Sequence, residues 1–305
     1  MAACGSNGEG SPPPSSSTNP TVASRLVFGS GEECPIEPYC LPGLEEKYGL
    51  KFKEFVVTDP GGKKTVAALQ SGQIGAGILF TTDPRLSGNG FVLLEDDHQL
   101  QPAENVTPIL NAGLGTAHGK DLAATIDSVS AVLTTQELTD LNQKVLNGGM
   151  SSETAAAAFL QDKGLVTSPA ATPRTGPTIV VGSANFPESS TLAQLYAQAL
   201  RSAGFPVDLL LSVGNRDTYF PMVKGGQIGL FPEYVGSLLG YLDHDAPESA
   251  DTRETHEILV EKLQGSGLLA LNSAPAQDKN GIVVTKATAE QYSLTKVSDL
   301  ARAAR

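Results

Sequence analysis

Along this chain, short apolar runs closed by glycine alternate with stretches of helical period. Leu26-Val27-Phe28-Gly29-Ser30 and Ile179-Val180-Val181-Gly182-Ser183 have the pattern of buried strands that end at a turn. A helix is expected after each, over 42–48 in the first case and 188–203 in the second. The second helix carries Leu192, Leu195, Tyr196, Ala199 and Leu200 on one face and stops at Gly204. Strands follow over 52–57 and 207–213, helices over 64–71 and 218–224, and third strands over 74–80 and 228–231.

The two series are copies of one pattern. Leu69-Gln70-Ser71-Gly72-Gln73-Ile74-Gly75 matches Val223-Lys224-Gly225-Gly226-Gln227-Ile228-Gly229, and the distance back to the first glycine is nearly the same in both. Two β-α-β-α-β units predict two α/β lobes, each with a mainly parallel sheet. Between the copies, strands are expected over 91–94 and 106–110 and helices over 120–130, 135–146 and 151–163. A Pro/Thr/Ala linker at 168–177 follows. Beyond the second copy come a helix over 252–264, a strand over 281–285, and helices over 287–291 and 297–304.

Composition narrows the function. The 305 residues carry a formal charge of −12, with lysines and arginines scattered rather than striped. Such a surface repels phosphate backbones, which excludes nucleic acid as a partner. No apolar run is long enough to span a membrane. Tryptophan is absent and aromatics make up 6%, few for any site built on ring contacts.

Residues 1–20 are rich in Ser, Pro, Gly and Asn and read as a flexible tether. Ala2-Ala3-Cys4-Gly5 resembles the end of a bacterial lipoprotein signal, which would make Cys4 a lipidation site; otherwise it is a cysteine in a tail. Cys34 and Cys40 flank a short loop with two prolines, and no further Cys or His completes a zinc set. A disulfide and an oxidising compartment are expected, the alternative being two free thiols.

In parallel α/β sheets, ligands bind beyond the carboxyl ends of the strands. At 183–188, Pro187 would open a helix whose free N–H groups face the cleft, with Ser183 and Asn185 adding side-chain bonds. Asn185 could equally only cap that helix. Tyr234 follows its strand directly and can offer a ring face and a hydroxyl to a ligand, a cation included, or else pack. The search for catalysis finds nothing. His98, His118, His244 and His256 lie far apart without metal spacing, and no nucleophile elbow, P-loop or dinucleotide fingerprint is present. Asp243-His244-Asp245 reads as a solvated turn and Glu95-Asp96-Asp97-His98 as a charged strand end. No catalytic residue, metal or cofactor is expected.

Val181-Gly182-Ser183-Ala184-Asn185-Phe186-Pro187-Glu188 and Phe231-Pro232-Glu233-Tyr234-Val235-Gly236 resemble one half of the ABC-transporter substrate-binding proteins for glycine betaine, choline and carnitine. Leu26-Val27-Phe28-Gly29, Leu41-Pro42-Gly43-Leu44, Phe80-Thr81-Thr82-Asp83 and Val92-Leu93-Leu94-Glu95-Asp96-Asp97 resemble the other half. The order of the halves is inverted, as in a circular permutation. That implies one lobe built from 21–97 plus 282–305, with Arg305 near residues 21–25, and a second lobe built from 98–281.

The resemblance implies a two-lobe, periplasmic-binding-protein-like (type II) α/β fold with a ligand cleft between lobes. The hinge strands would be 91–96 and 281–285. It further implies an extracytoplasmic, lipid-anchored, monomeric receptor for a small quaternary-ammonium or similar solute, partnered by ABC permease subunits. Tyr234, Asn185, Ser183, Ser237, Leu41, Thr82, Asp278 and Asn280 would face the cleft. Of the tyrosine cage usual in the family, only Tyr234 stands at an expected place. The same fold could instead serve a ligand-sensing module for a membrane receptor, or an enzyme.

Overall fold

The structure is a computed structural model and describes residues 20–304, apart from Pro60, Asn89, 167–171 and Glu248. All of the tether except Pro20, with Cys4, Arg305 and part of the 168–177 linker, lies outside the described residues. The strands, in chain order, are β1 (Val27–Ser30), β2 (Glu54–Val57), β3 (Ala76–Phe80), β4 (Phe91–Leu93), β5 (Val106–Asn111), β6 (Ile179–Gly182), β7 (Val207–Leu210), β8 (Leu230–Tyr234), β9 (Leu268–Ala270) and β10 (Asn280–Thr285). They form two five-stranded sheets, ordered β2-β1-β3-β10-β4 and β7-β6-β8-β5-β9.

Both sheets follow one plan, the type II arrangement. The first strand of each repeat lies between the second and third, all parallel. One antiparallel strand, β10 or β5, then joins the third strand to a short edge strand. In both lobes that antiparallel strand arrives on a segment crossing from the other lobe.

Packing explains the repeated glycines and isoleucines. A Cβ on Gly29 would stand 2.6 Å from Ile74 Cδ1, and one on Gly182 would stand 2.9 Å from Ile228 Cδ1. Each strand glycine therefore makes room for the isoleucine that begins the return to the sheet. The turn before that isoleucine needs the left-handed region, with φ of 76° at Gly72 and 78° at Gly226. The next glycine bonds back to the first strand in both copies: Gly75 N–H to Val27 O and Gly229 N–H to Val180 O, each at 2.8 Å.

The second lobe is centred on the helix Pro187–Ser202, buried over most of its length. Tyr196 is its largest fully buried side chain, and its hydroxyl lies 3.0 Å from Ser130 Oγ, so the polar tip is satisfied in the core. In the first lobe, Asp96 holds the N-terminal contribution together and Asp97 ties it to the C-terminal one. Asp96 accepts from the Tyr48 hydroxyl, and Asp97 accepts from Ser298 and pairs with Lys296 at 3.1 Å. Cys34 and Cys40 are joined by a disulfide, with Cα atoms 5.2 Å apart. Their loop reaches across to the second lobe, where Tyr39 stands against Gly240.

The two ends of the described chain meet. Val22 N–H donates to Arg302 O at 2.9 Å and Ala304 N–H to Pro20 O at 2.8 Å.

Several expectations change. The segments 91–96 and 281–285 are not hinges: they contain β4 and β10, neighbours inside the first sheet. β10 is bonded on both sides, so bending it would break two ladders. The lobes are instead linked by 98–105 and 271–279, since 94–97 are still bonded within the first lobe. These segments touch where Asn105 pairs with Gln277 and Asp278 N–H donates to Glu104 O at 3.1 Å. The helix expected over 297–304 is a 3-10 turn, Val297–Ala301, because the Asp299 carboxylate accepts from the N–H groups of Thr295 and Lys296 and closes it. Helices Ala112–His118 and Val235–Leu242, and strand β9, have no counterpart in the sequence reading.

Gly29→Ala is expected to lower stability by about 1–3 kcal/mol through overpacking. Adding Ile74→Val, which removes the clashing Cδ1, should restore part of that loss in a denaturant double-mutant cycle.

Candidate functional site

The carboxyl ends of β3 and β8 point at one another across the interlobe cleft. β3 delivers Phe80, Thr81 and Thr82, and β8 delivers Phe231, Glu233 and Tyr234. The helix Val235–Leu242 follows β8 without a break and adds Ser237. The helix Pro187–Ser202 places Phe186 and Glu188 at the same level, and the crossing segments contribute Glu104 and Asp278. Of these groups, Phe80, Glu104, Phe186, Phe231, Glu233, Tyr234, Ser237 and Asp278 line a cavity of about 160 Å³, while Thr82 and Glu188 lie on the far side of Phe80 and Phe186.

Aromatic side chains form much of its wall. Phe80 comes from the first lobe, and Phe186, Tyr219, Phe231 and Tyr234 from the second. Phe186 lies 6.1 Å from Phe80 and 6.4 Å from Tyr234 between ring centroids, so a row of rings crosses the cleft. Tyr219 and Phe231 stack at 4.0 Å. The site is thus richer in rings than the sequence suggested, because phenylalanines stand in places where only tyrosines were sought.

Carboxylates supply the polar wall. Glu233 is held by Arg216 through two bonds of 3.1 and 3.0 Å and by the Tyr219 hydroxyl at 2.8 Å. Arg216 is the one cationic side chain among the described lining residues, and Glu233 occupies it. Glu104 accepts from Ser237 N–H at 3.0 Å and Ser237 Oγ at 2.6 Å. Burial pushes its pKa up to about 7, with the Ser237 bonds and the Arg216 charge holding it from going higher. Asp278 accepts from Thr82 N–H at 3.1 Å and Thr81 Oγ at 3.3 Å. Its pKa is raised well above the usual carboxylate range, first by burial and then by the neighbouring Glu188 charge.

Glu188 fastens the lobes together. It belongs to the second lobe but accepts from Thr82 Oγ of the first at 2.7 Å, as well as from Asn142 Nδ2 and the Tyr234 hydroxyl. Asn142 also donates to Thr82 Oγ at 3.1 Å. Burial first, then the Glu188 charge, raises the Tyr234 pKa, which keeps that hydroxyl a donor. The cavity therefore combines aromatic rings, three acidic side chains and an arginine paired with one of them.

Residues 19–162 and 177–305 match the protein family described as the substrate binding domain of ABC-type glycine betaine transport system. The chain belongs to this family. Its members bind solutes and are not enzymes. A curated relative, the glycine betaine-binding protein YehZ of Escherichia coli (strain K12), is 26% identical over 129 residues, a stretch covering 41% of this chain and only 42% of that protein. Among solved structures, the phosphate-binding protein of a phosphate ABC transporter from Streptococcus pneumoniae TIGR4 aligns at TM-score 0.43 and 15% identity, over 91% of this chain and 94% of that one. An ancestral arginine-binding protein bound to arginine aligns at 0.41 and 14%, over 91% and 90%.

Of the residues singled out from the family resemblance, Tyr234, Ser237, Asp278 and Asn280 line the cavity together. Thr82 lies directly behind them in the Glu188 contact. Ser183 is buried inside its lobe, where Oγ accepts from Ser212 N–H at 2.8 Å and lies 3.2 Å from Ser190 Oγ. Asn185 is exposed and neither caps the helix nor borders the cavity. Leu41 packs on the first lobe's core.

Glu104, Glu188, Glu233, Phe80 and Phe186 escaped the sequence reading. All but Glu104 stood within the quoted motifs, and their neighbours were chosen instead. Among the described residues no group of His, Cys, Asp and Glu has the arrangement of a metal site. Asp243 pairs with Lys262 at 2.6 Å.

Thr82→Val removes a bond to Glu188 and should weaken closure by about 1.5–3 kcal/mol, seen as a larger radius of gyration in solution scattering. Glu104 has a folded-state pKa above its usual 4.5, so its contribution to stability is complete below 4.5 and is lost as pH rises through about 7. Glu104→Gln should flatten that fall, by about 3 kcal/mol, in melts taken across the range.

Proposed function

We propose that the protein is the extracytoplasmic receptor of an ABC importer, and that its lobes close on a small quaternary-ammonium solute. Family membership supports the role. The ring-and-carboxylate cavity between the lobes is the observation that carries the ligand class. A trimethylammonium head meets ring faces worth about 0.5–2 kcal/mol each, and it meets carboxylates in a dry setting where opposite charge counts most. Closure would turn about the contact between 104–105 and 277–278, and Glu188 would engage Thr82 as the lobes meet.

Arg216 sharpens the ligand choice. Glu233 already compensates its charge through two bonds, from Nε and one Nη, so a zwitterion's carboxylate meets a neutralised arginine and has only its remaining N–H groups to bind. A choline-like cation needs no arginine and also relieves the crowding of carboxylates. The Cys34–Cys40 disulfide fits an oxidising compartment, and lipidation at Cys4 would hold the receptor at the membrane. No described helix is long and apolar enough to cross one. Permease subunits are the partners this role requires, with the closed lobes as the surface they read.

Calorimetric titration with choline and with betaine at pH 6 and pH 8 tests the reading. A cation bound beside Glu104 favours its ionised form, so a proton leaves when binding occurs below the pKa of about 7. Choline should bind about tenfold more tightly at pH 8 than at pH 6, and more tightly than betaine at both. Absence of binding by any quaternary ammonium would refute the ligand class, and tighter betaine binding would refute the role given to Arg216.

A further inference from the structure

A second compartment, of about 410 Å³, lies between the lobes on the far side of Phe80 and Phe186. The two cavities share these rings as a common wall. The compartments differ in chemistry. Around the smaller one stand Glu104, Glu233 and Asp278, whereas the larger is floored by the ring faces of Phe80 and Phe186, by Pro187 and by Leu146, with Lys63 and Asn147 at its edge. Its charged residues balance, Lys63 and Arg85 against Asp83 and Glu188. Arg85 is locked to Asp83 in the same wall.

Leu146 is unusual for a leucine beside a cleft. It is 40% exposed and belongs to a π-turn, Gln143–Asn147, which follows the helix Thr135–Asn142. The same junction places Asn142 on Glu188 and Thr82. A single irregularity of the backbone thus sets a polar side chain in the interlobe contact and an apolar one over the larger compartment, as π-turns at functional sites do. Phe80 and Phe186 are half-buried and tilted by 36° to one another.

We infer that the cleft takes a quaternary ammonium bearing an alkyl or acyl chain, with its head in the acidic cavity and its chain passing Phe80 and Phe186 to lie against Leu146 and Pro187. The inference rests on the cation reading above and extends it from a compact solute to an elongated one.

Titration with tetramethylammonium, butyltrimethylammonium and hexyltrimethylammonium separates the two, since all three carry the same head and charge. Affinity should rise with chain length, up to about fourfold for each methylene removed from water. In Leu146→Arg, a substitution at a part-exposed position outside the core, that rise should collapse.

Binding of tetramethylammonium with a flat or falling series would overturn the chain compartment and leave the cation cavity standing. A rise that survives Leu146→Arg would place the chain elsewhere and overturn the inference as well. Failure of all three to bind would overturn both readings.

Discussion

A carboxylate removed from water needs donors, and Glu188 finds one of its donors only in the opposite lobe. Thr82 brings its hydroxyl from the end of β3, while Asn142 and Tyr234 reach Glu188 from its own side. Beside it, Asp278 draws on Thr81 and Thr82 of the first lobe, and Glu104 draws on Ser237 of the second. The two acids on the crossing segments thus look into one cavity from the point where the lobes are tied. Burial opposes the charge on each, and each satisfied bond opposes that cost. Anything that changes the charge in the cavity therefore acts on the contact between lobes. Ligand recognition and closure share one set of atoms.

The scaffold beneath this contact is one design used twice. The strand glycine with the isoleucine seated over it, the left-handed glycine turn and the bond from the following glycine recur in both sheets with nearly equal geometry. In each sheet the antiparallel strand comes in from a crossing segment, so neither sheet is complete without a segment that passes between the lobes. This interleaving leaves just two connections. It concentrates relative motion near Glu104 and Asp278, because β4 and β10 are held within a ladder.

Much of this was legible before any coordinates. The repeat gave the two lobes and the strand-to-helix order within each, while the inverted order relative to the family implied that the chain ends lie close together. These features depend on local pattern: buried strands need apolar runs, helices end at glycine, and close backbone approach excludes a side chain. The Cys34–Cys40 pairing was legible for the same reason, since a short stiff loop allows it. The site was read less well. Ser183 and Asn185 sit at the end of the right strand, yet one turns into its lobe and the other into solvent. Sequence position locates a loop but not the direction of a side chain within it.

The sequence alone established an acidic, doubly repeated α/β chain, and its motifs, through their resemblance to a solute-binding family, pointed to Tyr234 and Asp278 for the cleft. Tertiary structure alone decided that Phe80 and Phe186 from different lobes meet, and that Arg216 is committed to Glu233. It also decided that Glu104 and Glu233, far apart in sequence, line the same cavity. The physical reason is that a single strand or helix pattern records whether a residue is buried within its own lobe. A side chain that faces solvent in one lobe is covered only when the other arrives, and no local periodicity encodes that meeting.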